Sequence, residues 1–183
     1  MILFLTAGYF RKKYSPKYGE RFIQSVEYRK LNRKERRGKE GHKYEMLIDR
    51  TEYTKLTGFR ISHKYFELYK DGRLVIKKGY RWDGPSGPTV DTASFMRGSA
   101  IHDVFFQCMR ENLFMFIKVK WESWGEVSNW RHVFNLSNKE LKRFCIEDGM
   151  MWPRYHWVYY AVQKAGAKNA RPTEKKSDYE NNF

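Results

Sequence analysis

Cysteine is almost missing from this chain of 183 residues: it has only Cys108 and Cys145, too few for a disulfide framework, and no Cys/His spacing resembles a zinc site. Acidic residues are also scarce, 21 Asp and Glu against 36 Lys and Arg, which leaves a formal charge of +15. Long hydrophobic runs are missing as well, since no segment approaches the roughly 20 apolar residues needed to cross a bilayer. The opening Met-Ile-Leu-Phe-Leu has no basic flank before it and no long apolar stretch, so no signal peptide is expected. A secreted disulfide scaffold, a zinc finger and a membrane-spanning protein are excluded as readings. The expected location is cytoplasmic, with both thiols reduced.

Aromatic residues are abundant, at 17%. That is too many for a disordered chain and suits a bulky core. The length fits one domain able to bury about two-thirds of the surface its unfolded chain exposes.

The charge is unevenly spread. Residues 11–43 carry 13 Lys/Arg against four Glu, a net +9, whereas residues 44–163 are only +4. The densest run, residues 29–39, includes Arg33, Lys34, Arg36 and Arg37. Such a run is an electrostatic footprint for phosphates, because each neutralised phosphate releases condensed counterions. Nucleic acid or another polyanion is a candidate partner there, through residues 29–39; the other reading is a solvated loop that maintains solubility or packs on an acidic partner. The expected organisation is a basic N-terminal extension over 1–43, a folded domain over 44–166 and a polar flexible tail over 167–183.

Residues 44–49 and 58–61 suit strands. Two β-prone runs then flank Asp71-Gly72, a hairpin signal of the type I′ kind. A Gly/Pro-dense loop follows over 79–88. From Ser94 or Met96, apolar residues recur at helical spacing through Met109. Ser137-Asn138-Lys139-Glu140 reads as a capping box that opens a second helix closed by Gly149. Pro153 suits the first turn of a third helix, residues 155–164, ended by Gly166. Strands followed by helices predict an α+β fold, with a small antiparallel sheet, a Gly/Pro-rich loop and three helices.

The chemistry concentrates in Trp82-Asp83-Gly84-Pro85-Ser86-Gly87-Pro88-Thr89-Val90-Asp91-Thr92, then Met96-Arg97-Gly98-Ser99, then His102-Asp103. On a helical wheel, Ser99, Asp103, Gln107 and Arg110 lie opposite the apolar stripe, and His102 falls on the boundary. Arg97 falls within the stripe, where an unpaired guanidinium is costly. Asp83 or Asp91 is its expected partner, clamping loop to helix. His102 is the candidate general base. Asp103, with Asp83 or Asp91, would orient it or hold a hard divalent cation such as Ca²⁺ or Mg²⁺, which prefers oxygen ligands. Ser86 and Ser99 would line the pocket. The alternative is a buried polar network that only fixes the loop–helix junction.

The run WDGPSGPTVDT, with MRGS and HDVFFQ after it, resembles a phage and prophage family of domains of unknown function. Its members show W-D-G-x-S-G-P-T-x-D-T, then M-R-x-S, then H-D-x-L-Y-Q. The likeness is densest over residues 79–111 and implies a phage-related origin and an α+β fold, without an agreed activity. The family's polar positions fall on Asp83, Ser86, Asp91, Arg97, Ser99, His102 and Asp103. Phe106 stands where the family has Tyr, so any mechanism needing that hydroxyl is in doubt. A looser likeness of layout, a glycine-rich loop before a helical His-Asp, is to secreted phospholipases A2, whose bracing disulfides are missing here. The two resulting readings are a hydrolase, metal-assisted if a cation binds, and a non-enzymatic phage protein. The latter would be a virion component or a host- or nucleic-acid-binding factor contacting other phage proteins.

Overall fold

Burial alternates along the strands. β6 (Arg73–Ile76) buries Leu74 and Ile76, whereas the two buried residues of β3 (Arg50–Tyr53) are the charged Arg50 and Glu52, held to each other. The computed structural model describes residues 27–37, 42–58, 60–85, 91–113, 120–121, 125–126 and 130–171. One antiparallel sheet has the order β1 (Tyr28–Lys30), β2 (Tyr44–Met46), β7 (Arg81–Trp82), and places Tyr44 opposite Trp82. A second has the order β3, β6, β5 (Phe66–Leu68), β4 (Ile61–Ser62), with Leu68 opposite Leu74. A short pair, β8 (Lys120–Trp121) and β9 (Gly125–Glu126), stands apart in sequence from both. Four helices are described: α1 (Ala93–Arg110), α2 (Trp130–Glu147), α3 (Trp152–Ala165) and α4 (Ala167–Ala170). The class is α+β, as the order of elements predicts. No described helix is long and apolar enough to cross a membrane.

The Asp71-Gly72 hairpin forms, but through a three-residue loop rather than a type I′ turn. Gly72 N–H donates to Tyr69 O and Tyr69 N–H to Arg73 O, both at 2.9 Å. Among the loop residues only Gly72 has positive φ, +83°, and a Cβ there would lie 2.3 Å from Thr54 O. A turn followed by a left-handed glycine is the next most common hairpin solution.

Helix ends follow local chemistry. At the end of α1, Asn112 adopts φ +56°, while Leu113 N–H reaches Cys108 O and Asn112 N–H reaches Met109 O. Gly149 repeats the arrangement after α2 with φ +80°, Met150 bonding Cys145 O and Gly149 bonding Ile146 O. Both are Schellman motifs.

Two helical expectations are corrected. α2 starts at Trp130, not at a capping box, because the apolar period of Leu141, Phe144 and Cys145 continues upstream through Val133 and Phe134. Ser137 is therefore inside the helix, donating to Phe134 O at 2.8 Å, and Glu140 is buried beside Arg143. Pro153 does open α3, but Gly166 stays right-handed and continues into α4. Its missing Cβ admits Phe106 and Phe134, whose ring atoms would lie 3.2 and 3.3 Å from one.

The folded unit also extends past both expected boundaries. β1 of the basic segment pairs with β2, and Leu31 is buried; at the other end, Ala170 is buried in the core.

α1 lies across α2 where Gly98 leaves no side chain. A Cβ there would meet Leu141 Cδ1 at 3.1 Å, Leu141 O at 3.2 Å and Cys145 Sγ at 3.3 Å. Gly98→Val is expected to lower stability by about 1–3 kcal/mol through overpacking. Urea unfolding of the variant beside wild type measures it, and an unchanged midpoint would show that the crossing can yield.

Candidate functional site

The polar face of α1 looks into a cleft of about 1290 Å³. The residues after Gly79 as far as Pro85 form one wall, α1 the second, and α3 with α4 the third. Ser99, His102, Asp103, Gln107 and Arg110 all line it. Four of these were placed on that face by the wheel, and His102 at its edge.

The loop reaches the helix through two bonds. Trp82 Nε1–H donates to Ser99 Oγ at 3.2 Å, and Ser99 Oγ–H donates to Met96 O at 2.9 Å. Asp83 N–H donates to Asp103 Oδ2 at 3.3 Å. Gly84, at φ +70°, lies directly over Tyr44, where a Cβ would come within 2.5 Å of the ring. Any side chain there would lift the loop and its Asp83.

Two His–carboxylate pairs result. His42 Nδ1 lies 3.2 Å from Asp83 Oδ1, and this bond, more than any other influence, holds the Asp83 carboxyl below its ordinary range. His102, buried and resting on the Phe106 ring at 4.1 Å, donates Nε2–H to Asn138 Oδ1 at 2.8 Å. Its Nδ1 is thereby left as the basic nitrogen, 3.8 Å from Asp103 Oδ1. That gap is too wide for a hydrogen bond. Farther along the cleft, His63 Nε2 lies 3.5 Å from Glu111 Oε2, which has no hydrogen-bond partner.

The other predicted residues have different neighbours. Arg97 does not bind Asp83 or Asp91. Its guanidinium contacts Asp148 at 3.0 Å, Glu147 at 2.9 Å and Glu52 at 3.3 Å, and stands 4.6 Å over the Phe144 ring. The reason lies at the end of α2, where two carboxylates sit at the negative pole of a helix and need a cation. Asp91 accepts the Tyr44 hydroxyl, and burial with that bond pushes the Tyr44 phenol up to about 12. Asp91 is not part of the cleft lining. Ser86 lies outside the described residues.

Nucleophiles are scarce in the cleft. Ser99 is committed to two hydrogen bonds within the fold. Cys108 and Cys145 are buried, and burial pushes the Cys145 thiol up to about 12 and that of Cys108 well above its ordinary value. Asp83 and Asp103 each accept one hydrogen bond, and among the described residues no group of three or more His, Cys, Asp or Glu side chains could hold a metal ion.

In the basic segment, Asn32 Oδ1 caps a short 3₁₀ turn (Glu35–Arg37), and Arg29 is held by Glu35 and Glu45. Arg36 Nε–H donates to Leu31 O at 2.7 Å. Arg33 and Lys34 are exposed; the Arg37 side chain lies outside the described residues.

The sequence reading missed Asn138 and His42. Asn138 was legible in principle, since it falls in line with Phe134, Leu141 and Cys145 once the helix starts at Trp130. A polar residue on that stripe calls for a buried partner. His42 lies 41 residues from Asp83 and carries no local signal. Comparisons with protein-family models, curated proteins and solved structures return no match.

Proposed function

We propose that the cleft hydrolyses an ester by general acid–base activation of water, in a phage- or prophage-encoded protein. The observation that carries this reading is that two adjoining walls of the cleft bring His42–Asp83 and His102–Asp103 together, joined by the Asp83 N–H bond to Asp103. Asn138 holds His102 Nε2–H, so Nδ1 is the atom that takes a proton from water as the water oxygen attacks the ester. Asp103, beside Nδ1, favours the imidazolium that forms. His42 of the other pair, held at Nδ1 by Asp83, is the general acid that gives a proton to the leaving oxygen. Arg110, also in the lining, favours an anionic ester such as a phosphodiester.

Hydrolysis of bis(4-nitrophenyl) phosphate and of 4-nitrophenyl acetate tests this. Asp103→Asn is expected to lower the rate about tenfold or more, within the range of general acid–base assistance. Ser99→Ala is expected to retain the rate, because its hydroxyl serves the fold. Loss of activity in Ser99→Ala alone would replace water with a serine nucleophile.

A second reading, binding of a polyanion by the basic segment, is favoured by the exposure of Arg33 and Lys34. It predicts affinity for nucleic acid that falls with salt and falls further in Arg33→Gln/Lys34→Gln.

A further inference from the structure

Three of the largest exposed side chains in the described fold belong to one helix. Trp152 is 66% exposed, Tyr160 62% and Trp157 45%, all on α3. Trp152, His156, Tyr160 and Lys164 follow each other at i, i+4, i+8 and i+12, which makes a single row on the helix surface. The Trp152 and His156 rings are 5.1 Å apart, and Lys164 Nζ stands 5.6 Å from the Tyr160 centroid. Val158 on the opposite side is buried, so the row faces away from the core.

Charge accompanies the row. Residues 149–171 contain four basic residues (Arg154, Lys164, Lys168, Arg171) and no acidic one. Exposed rings on a segment whose own charges are all positive suit a ligand that presents flat faces and negative charge together.

We infer that the α3 row is a docking surface for single-stranded nucleic acid. Bases stack on exposed aromatic side chains without sequence preference, and a basic surround tracks the backbone. The Trp152 and His156 rings, 5.1 Å apart, leave no room for a base between them, so bases would stack on the outward faces of the rings, which recur about every 6 Å along the helix. Trp157, one turn from Tyr160, lines the cleft and would carry the strand toward it. A membrane surface is the poorer fit. A helix seated in lipid presents an apolar face, whereas this face interleaves His156, Tyr160 and Lys164 with Trp152 and Trp157 and has no aliphatic side chain among them. The surface is separate from the basic segment, and the inference does not depend on hydrolysis in the cleft.

The test is fluorescence anisotropy of labelled oligothymidine and oligouridine with the full chain, repeated for Trp152→Ala, Tyr160→Ala and Arg33→Gln/Lys34→Gln. Each exposed ring removed is expected to weaken binding at least about fivefold, with thermal midpoints unchanged. Affinity should fall steeply between about 50 and 200 mM salt. Vesicles of phosphatidylserine and phosphatidylcholine form the competing arm. Binding that is unaffected by either ring substitution, and lost only in Arg33→Gln/Lys34→Gln, would overturn the inference. So would an absence of oligonucleotide binding, or vesicle capture in its place.

Discussion

Arg97→Met is expected to lower stability by about 3–5 kcal/mol at neutral pH, the cost of breaking a buried ion pair by removing one partner. Methionine can occupy much of the space over Phe144, so lost packing is the smaller part. What remains is Glu52, itself buried, together with Asp148 and Glu147 at the negative end of α2, without the cation that joined them; Arg143 still holds Glu147, so Asp148 loses most. Arg50 still reaches Glu52 at 2.6 Å, but Arg50 is on β3 and the two α2 carboxylates gain nothing comparable from α1.

The deficit carries a pH signature. Burial raises the Asp148 carboxyl from 3.8 to about 6, even though Arg97 pulls it down. Between those two values the native state holds a proton that the unfolded chain has lost, so this group adds stability as pH falls through about 6. Without Arg97, which pulls it down, the Asp148 carboxyl takes up its proton at still higher pH. The difference between Arg97→Met and wild type should therefore shrink as pH is lowered from about 7 to about 5. The difference is the quantity to read, because burial lowers the His63 imidazole and that group loses native stability over the same window. Urea unfolding at the two pH values measures it. A deficit that is small, or constant with pH, would contradict the clamp.

His102→Gln is expected to lower ester hydrolysis by about 10²–10⁴-fold, the range of a positioned general base. Glutamine can still donate to Asn138 Oδ1 and lie against Phe106, so the thermal midpoint should change little. It has no nitrogen that can take the proton. Comparable losses of rate and stability would instead mark His102 as a member of a buried polar network, the role that the alternative reading gives it.

The helices and the polar face of α1 were legible because each rests on a period. Met96, Ala100, Val104 and Cys108 repeat at helical spacing, and Ser99, Asp103, Gln107 and Arg110 fall opposite them and line the cleft as read. The presence of the Asp71-Gly72 hairpin was also local information. Partners were not. Arg97 was rightly read as a buried cation in need of a carboxylate, but its three carboxylates lie 45 to 51 residues away, on β3 and at the end of α2. Choosing the nearest acids in sequence therefore failed. The capping-box reading failed because a four-residue match was preferred to a longer apolar period, and that error concealed Asn138, the residue that fixes the His102 tautomer.

The most direct test of acid–base chemistry in the cleft is the initial rate of 4-nitrophenol release from bis(4-nitrophenyl) phosphate. Wild type and His102→Gln would be compared in preparations with matching melting temperatures. The account predicts turnover by wild type and its near-complete loss in the variant. Equal rates in the two, or no turnover by wild type with either this ester or 4-nitrophenyl acetate, would contradict it.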